Sequence, residues 1–295
     1  MKFDTTLFFY AGVVLTVYTG LGIFIWLKPL DKAKQPYLTW LILLPSFFLP
    51  LFLGIPFWIG SVMVLSLYGF FEFARGTDLP LPFRIPVYLS IIGLALCSLA
   101  HKYGLFMSLP IWGIALITTI PILRNEYQSA LRHTGTAVIG LIYFGWFCAH
   151  LGYLALSEYG LGYLLFVLIA TQFNDALAFL YGKLFGKHHW TKLSPNKTIE
   201  GSLLALLTTT ALAFAHWKLA FPHFPWWLVL LSGLMVGIGG QVGDLVMSCF
   251  KRDLNVKDFG SLLPGHGGVL DRIDSLLWVA PLFFHMARFF EGGFP

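Results

Sequence analysis

Ten apolar runs, at about 7–27, 38–53, 55–73, 86–100, 104–123, 135–156, 161–181, 200–220, 226–250 and 276–290, follow one another along the 295 residues. Most approach the ~20 residues that a helix needs to cross the hydrocarbon of a bilayer. Hydrocarbon offers a backbone amide no partner, so such runs fold as helices that satisfy their own hydrogen bonds. With 57% hydrophobic and only 11% charged residues, the chain lacks the polar side chains to coat a water-soluble globule. The sequence therefore predicts an all-α fold, a polytopic integral membrane helix bundle. The second run carries Pro45 and Pro50 and the fourth is only 15 residues long, which sets the expected number of transmembrane helices at eight to ten.

Charge orients the bundle. If the segment after the first run faces the cytoplasm and ten helices alternate, 15 of the 19 Lys and Arg residues collect on the inner side. Only Lys2, Lys102, Lys218 and Arg288 stay outside. The positive-inside rule favours this arrangement, with both termini outside. The net charge of +5 then suits an anionic lipid surface or anionic substrate, and no basic-aromatic module for nucleic acid is visible. The first run reads as a retained helix, being too long and too weakly charged ahead of it for a cleaved signal peptide. Cys97, Cys148 and Cys249 stand singly in apolar runs and read as packing residues. Neither a linker nor a repeat divides the chain. We take 1–295 as one membrane domain, with 1–134 as scaffold helices and 135–295 carrying the chemistry and the cytoplasmic loops. Within the scaffold, Glu72 reads as an interfacial residue paired with a nearby cation.

The chemistry concentrates between Gly243 and Ser275, where five aspartates and four Lys or Arg residues surround a glycine-rich turn. Asp244 lies about six residues inside its apolar run, ~9 Å at the helical rise. A carboxylate at such depth costs about 2.5–3.5 kcal/mol and turns inward to a partner. Asp244, Ser248 and Lys251 follow at i, i+4 and i+7, one face of a continuing helix. Asp271 and Asp274 share a face if the next segment is helical. Carboxylates from two elements across a loop make an oxygen site suited to Mg²⁺. Lys251, Arg252, Lys257 and Arg272 supply cations for phosphate oxygens. That combination serves phosphoryl or nucleotidyl transfer.

A second stretch runs from Asn174 to Gly201. Asn174-Asp175 places another carboxylate within an apolar run. The loop that follows holds Lys183, Lys187, Lys192 and Lys197 against Glu200 and so attracts anions. Ser194-Pro195, followed by Lys197-Thr198 and Glu200, reads as a helix start whose free amides face phosphate. Gly182–Lys187 is not a Walker A loop, because the glycine spacing is one short and His188 stands where Ser or Thr belongs. His266, between glycines, either contacts phosphate or fixes its turn.

The ordered set Ser248, Lys251-Arg252, Lys257-Asp258, Gly260, Leu263-Pro264, His266-Gly267-Gly268, Asp271-Arg272 and Asp274 resembles the signature of the phosphatidate cytidylyltransferase (CDP-diacylglycerol synthase) family. The serine-proline-lysine-threonine-glutamate-glycine order at 194–201 resembles it too. One departure stands out: relatives commonly carry Asp-x-Gly-Ala-Tyr where this chain has Asp175-Ala176-Leu177-Ala178-Phe179. The resemblance implies cytidylyl transfer from CTP to phosphatidate, releasing pyrophosphate, in a bacterial inner membrane. It implies Mg²⁺, with a second cation left open, on Asp244 and Asp271, and Asp274 beside them. Lys197, Lys251, Arg252, Lys257 and Arg272 are then the phosphate cations. Asp175, Ser194, Glu200, Ser248 and His266 fall among the substrate contacts. Transfer to another lipid phosphate, and a non-catalytic lipid-binding or transport paralogue, stay as alternatives, as does a homodimer.

Overall fold

A computed structural model describes residues 3–27, 31–260 and 267–293. The helices are α1 (Phe3–Leu27), α2 (Asp31–Leu53), α3 (Ile55–Gly76), α4 (Leu81–Leu99), α5 (Tyr103–Arg124), α6 (Ala130–Gly140), α7 (Cys148–Leu154), α8 (Gly160–Phe185), α9 (Ile199–Ala220), α10 (Trp226–Asp253) and α11 (Leu270–Glu291). A π-helical stretch, Leu141–Phe147, joins α6 to α7 as one continuous span. Among the described residues nine spans are long and apolar enough to cross a membrane, and α2 adds the shorter apolar stretch Tyr37–Leu53. The all-helical membrane bundle and its expected span count are thus borne out.

Two boundaries move. The fourth run, 15 residues by hydropathy, belongs to a helix of 19 that begins at Leu81. Proline sits in its first turn, where a missing N–H loses no helical bond. The last run, drawn from 276, belongs to a helix that starts at Leu270. Asp271, Asp274 and Ser275 are therefore helical and buried in the bundle.

Lipid tails are as apolar as leucine, so membrane helices associate through close backbone approach and polar contacts. Both devices operate in α8–α11. A Cβ at Gly201 of α9 would stand 2.7 Å from Ala178 O and from Gly182 Cα in α8. Asn174, fully buried on α8, donates to Gly237 O of α10 at 3.3 Å and accepts from Thr209 Oγ1 of α9 at 3.2 Å. The earlier helices pack through aromatic rings and are pinned by indole bonds: Trp58 Nε1 to Leu151 O at 2.9 Å and Trp278 Nε1 to Tyr143 Oη at 2.8 Å.

Connecting segments sort to two ends. At one end Phe259 packs against Gly76 and Phe73, and Arg252 Nε reaches Leu193 O at 3.5 Å. At the other, Glu291 accepts from Ser157 Oγ at 3.1 Å and meets His223 Nε2 at 3.3 Å, while Arg288 lies 3.5 Å over the Tyr103 ring. The first end gathers the segments after α3, α8 and α10, as the alternation requires.

Candidate active site

The continuous α10 puts Asp244, Ser248 and Lys251 on one face, as the spacing predicts. Asp244 lies nine residues before the helix ends at Asp253. Its Oδ2 meets Lys197 Nζ at 2.5 Å, the lysine arriving from the segment before α9. About two turns further on, Lys251 Nζ reaches Asp271 Oδ1 at 2.9 Å and Asp274 Oδ2 at 3.9 Å, both on α11. Lys251 also feels the charge of Asp244, and Asp274 those of Asp244 and Asp175. Asp175, from α8, neighbours Ser275, Asp244, Lys197 and Arg272. Three helices thus deliver four carboxylates, with Lys197, Lys251 and Arg272 among them. Gly243 makes the meeting possible, since a Cβ there would stand 2.8 Å from Asp274 O.

Asp271 also shapes the loop ahead of its helix. Its Oδ2 accepts from Phe259 N at 3.2 Å and Gly268 N at 3.0 Å. Gly267 has φ +80°, a left-handed conformation that suits glycine, and a Cβ there would stand 3.0 Å from the same oxygen. Sequence reasoning missed one participant. Glu72 on α3 is 4% exposed and accepts from Leu270 N at 2.9 Å. Among its described contacts the partner is a backbone amide, which corrects the expected cation-paired interfacial role. A carboxylate at the end of an apolar run was the available signal, the same signal that marks Asp244.

The 186–200 loop differs from expectation. Thr198, not Ser194, caps α9, its Oγ1 accepting from Gly201 N at 3.2 Å. Ser194 instead opens a turn in which its carbonyl accepts from Lys197 N at 3.0 Å, and that turn aims Lys197 at Asp244. Glu200 is directed back over the loop, accepting from Lys187 N at 3.1 Å, His188 N at 3.2 Å and the His188 ring at 2.6 Å. Arg252 and Lys257 are exposed outside the cluster, and Ser248 is half-buried on its α10 face. His266, with Leu263 and Pro264, lies outside the described residues.

The donor chemistry decides whether a cation fits. Among the described residues no group of three or more His, Cys, Asp or Glu is placed to hold a metal ion. Mg²⁺ does not need one, because it binds through one or two carboxylates plus water and substrate phosphates. Four carboxylates and three cations gather in the cluster. Arg272 Nε is buried without a hydrogen-bond partner among the described residues. The residues present therefore suit a divalent ion arriving with phosphate.

A polytopic helical bundle with paired carboxylates and cations at one end defines a class: membrane-embedded proteins that handle phosphate-bearing substrates within reach of lipid. More particularly, this chain belongs to the cytidylyltransferase family, whose model matches residues 34–290. The phosphatidate cytidylyltransferase of Bacillus subtilis (strain 168) is 32% identical over 269 residues, covering 87% of this chain and 98% of its own length. The phosphatidate cytidylyltransferase of Staphylococcus epidermidis is 43% identical over 145 residues, 49% of this chain and 52% of its own length. Uncharacterized protein YnbB of Escherichia coli (strain K12) is 38% identical over 192 residues, 61% of this chain and 62% of its own.

Proposed function

We propose that this protein transfers the cytidylyl group of CTP to phosphatidate, forming CDP-diacylglycerol and pyrophosphate. The observation that carries this reading is the meeting of Lys197–Asp244 with Lys251–Asp271–Asp274 at one end of the bundle. The full-length similarity to the Bacillus subtilis phosphatidate cytidylyltransferase supports it.

In this reading a phosphatidate oxygen attacks the α-phosphorus of CTP. The bond from that phosphorus to the bridging oxygen of the β-phosphate breaks, and pyrophosphate leaves with the electron pair. The acceptor oxygen is already anionic, so no protein nucleophile is needed and catalysis rests on positioning and charge neutralisation. Two unit charges of like sign at 4 Å repel by about 4 kcal/mol at an effective dielectric near 20. Lys197, Lys251 and Arg272 offset that repulsion from inside the cluster, and the exposed Arg252 and Lys257 draw the nucleotide to its rim. Because both oxygens of Asp271 are engaged, by Lys251 and by the Phe259 and Gly268 amides, Asp244 and Asp274, rather than the expected Asp244 and Asp271, would hold Mg²⁺, which when bound neutralises phosphate charge and polarises the α-phosphoryl group. Asp271 ties Phe259 to Gly268, the two sides of the turn ahead of α11. Placement at the inner face of a bacterial plasma membrane gives cytosolic CTP access to the polar end, while the lipid tails stay in the bilayer.

The test is purified protein in lipid, labelled CTP and a panel of lipid phosphates, with and without EDTA. The proposal expects label in CDP-diacylglycerol with phosphatidate alone, and none after chelation. Transfer to an isoprenoid phosphate in preference to phosphatidate, or flux of lipid without CTP turnover, contradicts it.

A further inference from the structure

Glu72 stands 198 residues from the amide it holds, and no step above uses it. It is 4% exposed, and its Oε2 accepts from Leu270 N at 2.9 Å, the first residue of α11. Two glycines make room for it. A Cβ at Gly268 would stand 2.6 Å from Oε2, and one at Gly260 would collide with Oε1. The next residue along α3, Phe73, packs on Phe259 with ring centroids 5.9 Å apart, and Gly76 meets the same ring. Behind it Phe73 rests on Phe144 at 5.3 Å, so α3 is itself braced by the π-helical stretch. The end of α3 therefore grips the signature loop at both of its described edges, one residue short of Asp271.

We propose that Glu72 is a positioning residue for the reaction: by holding the Leu270 amide between Gly260 and Gly268, it fixes where α11 begins and so the reach of Asp271 and Asp274 to Lys251. The inference rests on the reading given under Proposed function. Its chemistry is acceptance of a hydrogen bond, so glutamine, which keeps an acceptor oxygen at the same distance, substitutes for it. A side chain that leaves the amide unheld lets α11 shift, and displacement of reacting groups by ~1 Å costs about 100-fold in rate.

The experiment compares wild type, Glu72→Gln and Glu72→Ala for kcat and KM in lipid, and for hydrogen–deuterium exchange at the amides of 268–273. Glu72→Ala is expected to lower kcat about 100-fold with KM for CTP within about threefold of wild type, and to speed exchange at those amides. Glu72→Gln is expected to keep both kcat and protection. If Glu72→Ala fails to fold, Glu72→Asp, one methylene too short, takes its place with the same expected losses. Wild-type kcat per folded molecule in the alanine or aspartate variant overturns the proposal, as does a glutamine variant as impaired as alanine. Absence of CTP turnover in the wild type sinks the functional reading instead, and the exchange data still decide whether Glu72 holds α11.

Discussion

Lys251 is the residue on which most of the site's charge balance converges, since it serves Asp271 and Asp274 and lies within the field of Asp244. Removing it leaves buried carboxylates without their cation, and breaking a buried pair from one side costs about 3–5 kcal/mol. Lys251→Met is therefore expected to unfold at lower temperature in detergent and to lose turnover by at least about 100-fold. Lys257→Ala, an exposed position, is expected to raise KM for CTP by no more than about fivefold with kcat intact, matching the ~1 kcal/mol ceiling for surface charges. Equal losses in the two variants contradict the division into cluster and rim. Much of this was legible beforehand. Asp244, Asp271 and Asp274 stood out because a carboxylate inside or beside an apolar run demands a partner, and helical spacing put Lys251 on the face of Asp244. Glu72 was not legible, because its partner is a backbone amide 198 residues away, and a backbone amide leaves no mark in composition or motif. Thr198 was misjudged because two hydroxyl residues competed for one cap, and the turn at Ser194 that delivers Lys197 is a tertiary choice.

Elements meet at the site only because α10 and α11 approach without side chains between them. A Cβ at Gly243 would stand 2.8 Å from Asp274 O and 3.1 Å from Ser275 Cα, so Gly243→Val must force the helices apart. Overpacking of this kind costs about 1–3 kcal/mol. The variant is expected to lose turnover more steeply than stability, read from pyrophosphate release alongside thermal unfolding. The start of α11 escaped hydropathy for a related reason. Asp271, Arg272 and Asp274 lower the apolar signal of a segment that is nonetheless helical, because its two carboxylates meet Lys251 within the bundle. At the opposite end, His223, in the connection between α9 and α10, packs on Tyr159 with centroids 4.0 Å apart. Burial pushes its imidazole below the ordinary value of 6.5, with Glu291 acting against the shift. A histidine depressed in the folded state binds its proton more readily when unfolded, so stability falls as pH drops below ~6.5. His223→Gln is expected to lessen the decline in unfolding temperature between pH 7.5 and pH 5.5; an unchanged decline assigns it to other groups.

As a whole molecule the bundle separates a polar, reactive end from an aromatic end that closes α8, α9 and α11 around Glu291. The proposed orientation places the reactive end toward the cytoplasm. Single cysteines at Lys192 and Lys102, in a background lacking Cys249, test it with a membrane-impermeant maleimide. Lys102→Cys is expected to react in intact cells and Lys192→Cys only after permeabilisation, and the reverse pattern inverts the topology. The central claim is that carboxylates from separate helices act together on CTP. Its most direct test is pyrophosphate release by wild type, Asp244→Asn and Asp274→Asn in phosphatidate-containing lipid across a Mg²⁺ titration. The account predicts Mg²⁺-dependent release in the wild type and its loss in both folded variants. Undiminished release from Asp244→Asn and Asp274→Asn would contradict it.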